Sequence, residues 1–547
     1  MAKTPIMDRK AVMMEDREII EKGLDSLGIE FGSTNIKAVL IDDSGRVFAK
    51  GSHRWENSLK DGIWTYSYQE IDDGLRAAYS SLRKAVEEKY SVTIKKVGAM
   101  GISAMMHGII PLGRNGEPLS EFQTWRNSNT QKAADLLTDL FHFNIPLRWT
   151  IAHLYQYMLD DEKFLGDLDF ATTLDSYMTW KLTGERVTGV GDASGIFPID
   201  TRTKDYDQTM VDAFDAIIAE KGYGWRLRDV LPVVKVAGDT AGHLTKEGAA
   251  LLDETGNLEP GIPFAPPEGD AGTGMVATNA VSPRTGNISA GTSTFAMVVT
   301  EKPLKEVHRE IDIVTTPDGA TCAMSHANNG TTDINAWHDI FAQFTEALGL
   351  DPKNYDLYTI LCKASLDGDP DCGGLVNFGY YSGEGVTKLN EGRPLYVRMP
   401  DSHFTLANLM RANIYSALAA VKLGMDILMK DEQVQIDRIT GHGGLFGTKG
   451  VAQKYLAAAI NTPVTVLSTA TEGGPWGMAL LALYMKKSSE KSLPEFLDKD
   501  IFSGMQGETV EPDKTTIEGY EIFMEHYKAA LEIEGLAIKQ IRWDNRN

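Results

Sequence analysis

Two stretches of this chain place apolar and polar residues in the same order. The first reads Gly28-Ile29-Glu30-Phe31-Gly32-Ser33-Thr34-Asn35-Ile36-Lys37-Ala38-Val39-Leu40-Ile41. The second reads Asn287-Ile288-Ser289-Ala290-Gly291-Thr292-Ser293-Thr294-Phe295-Ala296-Met297-Val298-Val299-Thr300. Each is an apolar run, a glycine with two hydroxyl residues, and a second apolar run, which predicts a tight β-hairpin. Gly32 and Gly291 lie 259 residues apart (291 − 32), and the pattern is expected to stay in step around that pair. Helical periodicity predicts an amphipathic helix over 71–90, followed by a strand over 97–102 and a strand-turn over 109–115. Residues 130–182 read as mostly helical, with Gly184 as a C-cap, and a short helix is expected over 245–252. The second half predicts helices over 331–348, 404–430, 449–460 and 472–484, with a strand over 436–440.

The repeat changes the picture from one domain to two, and a length of 547 residues agrees, because a single core rarely grows that large. The boundary is expected near 281–286, giving an N-terminal helical extension over 1–26, a first domain over 27–284 and a second over 285–547 with a helical tail. A net charge of −22 argues against nucleic acid as a partner. No apolar run approaches the length of a membrane span, so no membrane partner is expected. Residues 1–26 carry Glu15, Asp16, Glu18 and Glu21 and do not read as a signal or transit peptide. Three cysteines with no CxxC pair fit a reducing cytoplasm.

A Gly-Ser-Thr corner offers backbone N–H groups and hydroxyls to an anion such as phosphate. Glu30 beside it is either a carboxylate that manages a Mg²⁺ ion or a strand-end side chain. Asp270, between glycines after a proline-rich turn, reads either as a base for a substrate hydroxyl or as a helix N-cap. Gly441-His442-Gly443-Gly444 follows a strand and could carry a nucleoside. No GxxxxGK[ST] loop, GxSxG elbow or HExxH helix occurs, and the loose GxGxxA match at 272–277 lacks a strongly apolar strand before it.

In this order the pieces resemble the FGGY carbohydrate kinases, over about 27–485. The resemblance rests on Glu30 through Lys37, on Gly101 through Gly108, and on Trp125-Arg126-Asn127. It continues through Leu182-Thr183-Gly184-Glu185, Asp192-Ala193-Ser194-Gly195 and Gly269-Asp270-Ala271-Gly272. Ser289 through Ser293, Tyr381-Ser382-Gly383-Glu384, Gly441 through Leu445 and Glu472 through Gly477 complete it. It implies an α/β chain of two actin/hexokinase-like (ribonuclease H-like) domains with a cleft between them. By the same likeness Asp270 is the catalytic base, and Met106, His107, Trp125 and Asp270 bind sugar. Gly32, Ser33, Thr34, Lys37, Gly291, Thr292, Ser293, Gly443 and Gly444 bind ATP, and Glu30 serves the metal.

The implied reaction is ATP-dependent phosphorylation of a ketopentose, D-xylulose to its 5-phosphate, with L-ribulose or another polyol as alternative substrates. A homodimer is compatible with this reading. Three positions depart from the family: Glu30 stands where Asp is usual, the Asp usual after the Trp motif is missing, and His442 and Phe446 interrupt the adenosine loop. A chaperone-like or regulatory ATPase of the same superfold is the alternative from another class, and a sugar base at Asp270 separates the two.

Overall fold

The structure, a computed structural model, describes residues 6–468 and 473–542, with side chains from residue 12 onward. Glu472, expected to open a helix, lies outside the described residues, as do the first five and last five residues of the chain. The chain divides into two compact units. One comprises Met1–Val281, Ile313–Cys322 and Glu472–Gly504, the other Ser282–Asp312, Ala323–Thr471 and Met505–Asn547.

The first unit is built on a five-stranded sheet in the order Glu268–Gly269, Ala99–Ala104, Ser26–Phe31, Asn35–Ile41, Val47–Arg54. Ser26–Phe31 pairs antiparallel with Asn35–Ile41 and parallel with Ala99–Ala104. Helix Tyr68–Tyr90, opened by a Ser67–Glu70 capping box, covers one face. It comes so close that a Cβ at Gly51 would collide with Ala78 O and Leu82 N. The other face carries helix Gly473–Tyr484, and a Cβ at Gly28 would collide with Pro475 O. At Gly101 a Cβ would collide with Met478 Cε. Glycine at these strand positions is therefore a requirement of close helix–strand packing. Trp476, 1% exposed, fixes that helix by donating Nε1–H to Gly45 O at 2.7 Å.

This packing explains a difference from the contiguous division at 284/285. The segment from 472 to 504 belongs to the first compact unit because its small N-terminal residues fit the glycine face of the first sheet. The stretch expected to be helical over 130–182 also contains a strand, Leu168–Thr172, between a 3₁₀ turn and helix Leu174–Thr183. That strand pairs with Ile110–Gly113, a long-range contact that local periodicity does not encode. Gly184 closes the helix with φ 81°.

The second unit carries a seven-stranded sheet in the order Asp312–Thr315, Thr321–Ala327, Thr294–Val299, Thr285–Ala290, Arg438–His442, Val464–Leu467, Gly507–Val510. Thr285–Ala290 pairs antiparallel with Thr294–Val299 and parallel with Arg438–His442, as its counterpart does in the first unit. Helix Leu406–Asp426 is buried along most of its length. With its extension through Asp431 it is long and apolar enough to span a membrane by length and composition alone, and 78% of its apolar 18-residue window is buried within the protein.

The two hairpins are not in step throughout. In the first, Phe31 pairs with Ile36, leaving four connecting residues. In the second, Ala290 pairs with Thr294, leaving three. The offset of 259 holds on the first strand only, and on the second Ala38 corresponds to Ala296 and Ile41 to Val299.

Candidate active site

In the first unit, strand alternation decides which side chains meet. Gly28, Glu30, Gly101 and Ser103 share the face covered by helix Gly473–Tyr484, because Gly28 pairs with Gly101 and Glu30 with Ser103. Glu30 is 8% exposed, and a Cβ at Gly474 would collide with its Oε1. Lys37 stands opposite it across the hairpin, with Nζ 3.8 Å from Oε2. Burial raises the Glu30 pKa to about 7; Lys37 opposes that rise and the charge of Asp270 adds to it.

The corner itself is held by its carbonyls. Trp55 Nε1–H donates to Gly32 O at 2.7 Å, the Tyr66 hydroxyl donates to Ser33 O at 2.7 Å, and the Trp55 N–H donates to Thr34 O. Trp55 and Tyr66 stack at 4.0 Å between ring centroids. With these carbonyls taken and the Gly32 N–H donated to Asn35 O, the N–H and hydroxyl groups of Ser33 and Thr34 are what the corner offers to an anion. Trp125 reaches the same corner, with Nε1 3.4 Å from Ser33 Oγ. Asn127, which follows where the usual Asp is missing, is buried and joins Trp64 N–H to its Oδ1 and Trp64 O to its Nδ2. It fixes the backbone there.

Asp270 is the first residue of helix Asp270–Ala277, and Gly269 is the N-cap. The N-cap reading of Asp270 is thereby corrected by one position: Gly269 takes the extended cap conformation and Asp270 is the first helical residue. The two-residue strand Glu268–Gly269 precedes the helix. Asp270 Oδ1 accepts the Met106 N–H at 3.4 Å. Surrounding protein pushes its pKa up to about 6, and the Met106 and Ala271 N–H groups pull it back. Its side chain is exposed, so water also favours the charged form. The helix is laid against its surroundings by Thr273, whose hydroxyl meets Ser103 Oγ at 3.0 Å.

Met106 and His107 follow strand Ala99–Ala104 and are both buried. His107 has φ 72°, a conformation rare outside glycine. Its ring stacks on Trp149 at 6.4 Å and lies over Gly195, where a Cβ would sit 2.6 Å from Nδ1. A Cβ at Gly269 would collide with Met106. Gly195 and Gly269 thus set the position of the Met106-His107 pair against Asp270. Glu30, Gly32, Ser33, Thr34, Lys37, Met106, His107, Trp125 and Asp270 all belong to this one unit.

In the second unit the corner Gly291–Ser293 is held by backbone donors: Thr331 N–H to Gly291 O and Gly330 N–H to Thr292 O, both at 2.8 Å. Gly443, with φ 95°, lies so close to Ala290 that a Cβ would sit 2.6 Å from its carbonyl oxygen, while nothing lies within 4 Å of one at Gly444. Gly291, Thr292, Ser293, Gly443 and Gly444 are therefore neighbours. Burial lowers the His442 pKa to about 4 and keeps the ring neutral beside Asn287 Nδ2 at 3.2 Å. Phe446 packs on Gly441, where a Cβ would sit 2.6 Å from the ring. The two departures in this loop are accommodated by Asn287 and by the glycine.

Sequence reasoning did not single out Trp55 or Tyr66, and Ser103 entered only as a member of the Gly101–Gly108 segment. Their contribution comes from register across strands and from contacts distant in sequence, which no local motif signals.

The N-terminal domain of the FGGY family of carbohydrate kinases matches residues 26–277 and the C-terminal domain of that family matches residues 286–485. A xylulose kinase of Haemophilus influenzae is 21% identical over 517 residues, covering 92% of this chain and 98% of that protein. A gluconokinase of Bacillus licheniformis is 23% identical over 485 residues, covering 84% and 87%. The solved xylulose kinase of Lactobacillus acidophilus superposes with a TM-score of 0.76 at 17% identity, covering 94% of this chain and 99% of that one. The fold is the two-domain actin/hexokinase-like α/β fold. The chain belongs to the FGGY family of carbohydrate kinases and is an enzyme of that class, which removes the chaperone-like alternative.

Proposed function

We propose that this kinase transfers the γ-phosphoryl group of ATP to the terminal hydroxyl of a ketopentose, D-xylulose, giving the 5-phosphate. The observation that carries the reading is the hydrogen bond between Asp270 Oδ1 and the Met106 N–H, which sets an ionisable carboxyl beside the buried Met106-His107 pair. Xylulose kinases among the relatives support the choice of sugar. Gluconokinase and glycerol kinase relatives keep other polyols, and L-ribulose, as outcomes of the test.

In this reading Met106 and His107 hold the sugar with its terminal hydroxyl toward Asp270. Asp270 accepts that proton as the hydroxyl oxygen forms its bond to the γ-phosphorus, and the bond from phosphorus to the ADP oxygen breaks. Being exposed, Asp270 returns the proton to water. Ser33 and Thr34 offer N–H and hydroxyl groups to phosphate in one unit, as Thr292 and Ser293 do in the other, while Gly32 and Gly291 close the corners by donating their N–H groups to Asn35 O and Ser293 O, and Gly443 and Gly444 are set for the nucleoside.

Glu30 fits a Mg²⁺ site of the sparse kind. Among the described residues no cluster of three His, Cys, Asp or Glu could hold a metal, so the protein would supply one carboxylate, with water and phosphate completing the shell. Bound there, Mg²⁺ would neutralise charge on the phosphates. The three cysteines are buried and in no disulfide, in keeping with the cytoplasmic setting we assign.

ADP release measured across D-xylulose, L-ribulose, glycerol and gluconate tests the proposal. D-Xylulose should give the highest kcat/KM, and Asp270→Asn should abolish sugar-dependent release. Turnover that ignores both sugar and Asp270 would overturn it.

A further inference from the structure

Behind the candidate base lies a cluster of carboxyl groups that the reaction above does not use. Asp175 lies in the first turn of helix Leu174–Thr183, Asp192 in the short helix Val190–Ala193, and Glu268 two residues ahead of Asp270. Each is 1% exposed. Glu268 is fully partnered, since the Gly191 N–H donates to Oε1 at 3.2 Å and the Asp192 N–H to Oε2 at 3.0 Å. Asp192 Oδ2 accepts from the Thr173 hydroxyl at 2.7 Å and the Thr188 hydroxyl at 3.4 Å. With both groups as carboxylates, neither oxygen of Asp175 nor Oδ1 of Asp192 accepts a hydrogen bond of good geometry, although the Thr173 hydroxyl and the Ser176 N–H face Asp175.

Two physical difficulties coincide here. A buried carboxylate oxygen without a donor is costly. Two adjoining buried carboxylates also resist ionising together. A single proton removes both, because Asp175 and Asp192 adjoin one another around the Thr173 hydroxyl and a protonated one can donate to the other. Burial raises the pKa of both groups, and Asp175 raises that of Asp192 further by its charge. The groups facing the pair are Glu268, the Tyr206 hydroxyl, Thr173, Thr188 and the Ser176 N–H.

The cluster adjoins the base through the backbone. A Cβ at Gly269 would lie 3.2 Å from Asp192 Oδ1, and Gly269 is the residue before Asp270. The charge of Asp175 acts on Asp270 in the same direction as burial, opposed by the N–H groups of Met106 and Ala271. We propose that Asp175 and Asp192 hold one proton between them and retain a single fixed negative charge behind Asp270, acting as positioning residues for the base. This rests on Asp270 being the base.

An asparagine imitates the protonated half of such a pair, so Asp175→Asn and Asp192→Asn should each leave the acid limb of the kcat/KM–pH profile in place. The double variant removes the charge and should move that limb down by about one pH unit, a tenfold change in base ionisation. Either single variant moving the limb as far as the double, or the double leaving it unmoved, overturns the proposal. Infrared spectroscopy of protein with ¹³C-carboxyl-labelled aspartate reads the proton without reference to activity. Wild type at neutral pH should show an aspartic-acid carbonyl band that both single variants lose, over a background from Asp25, which burial raises to about 8. No such band in wild type, or its survival in the single variants, overturns the shared proton even if the double variant does not fold. If the sugar proves not to be phosphorylated, the proposed function fails while the band still decides the pair.

Discussion

The two glycine-hydroxyl corners occupy equivalent places in their sheets and are built differently. The first turns over four residues, is tied down by the side chains of Trp55 and Tyr66, and carries Glu30 one residue before its last strand residue. The second turns over three residues, is tied down by the backbone of Gly330 and Thr331, and has Ser289 in the corresponding place. Both solutions do the same thing to the peptide groups: they occupy carbonyls and the glycine N–H, and leave the N–H groups of the two hydroxyl residues for an anion. What differs is the chemistry that can be added. Side-chain clamps leave space for a buried carboxylate, whereas the tighter second corner is committed to backbone contacts and closes against Gly443.

The largest effect is expected at Asp270, which precedes the second corner in sequence and belongs to the unit that carries the first. Asp270→Asn should reduce kcat by about 10²–10⁴-fold, the range of a lost general base, with the KM for sugar nearly unchanged. Steady-state kinetics at saturating ATP checks this. A large rise in KM with kcat intact would assign Asp270 to binding.

Next comes Glu30 against Ser289. Glu30→Gln should raise the Mg²⁺ concentration for half-maximal rate by about 10–100-fold, while Ser289→Ala should leave it unchanged. Equal responses would erase the distinction between the corners. The same variant carries a pH signature. The folded-state pKa of Glu30 is raised from 4.5 to about 7, so the folded protein binds this proton more tightly than the unfolded chain does. Stability from this group is present at low pH and is lost as pH rises from about 4.5 to about 7, by about 3 kcal/mol for a shift of that size. Denaturation of Glu30→Gln across that window should lack this fall.

Much of this was legible in the sequence, for reasons that are local. The hairpins, helix Tyr68–Tyr90 and the Gly184 cap are written in paired apolar runs around a glycine-hydroxyl corner, 3.6-residue periodicity and a glycine with positive φ. The neighbourhood of Met106, His107 and Asp270 was legible only through resemblance, because its contacts join residues more than 160 apart. Illegible were features set by packing between distant segments. Gly28 and Gly101 read as ordinary strand glycines until helix Gly473–Tyr484 is seen to press on them. Asp192 read as a landmark, and its missing donor emerges only beside Asp175. The one-residue slip between the hairpins escaped because apolar runs on both second strands tolerate either alignment.

The smaller effects probe the two clamps. Gly330→Ala places a Cβ against Gly291 O, and the corner must shift to admit it. Overpacking of this kind costs about 1–3 kcal/mol, and a rise in the KM for ATP of about tenfold is expected. Tyr66→Phe removes only the donor to Ser33 O and leaves the ring stacked on Trp55. A single neutral hydrogen bond contributes about 1 kcal/mol, which is about fivefold in the KM for ATP. The side-chain clamp should thus yield more gently than the backbone one, because Trp55 still holds Gly32 O and Thr34 O on either side. If Tyr66→Phe instead raises the KM more than Gly330→Ala does, the first corner depends on Tyr66 alone, and the stacked pair is packing with no part in the grip.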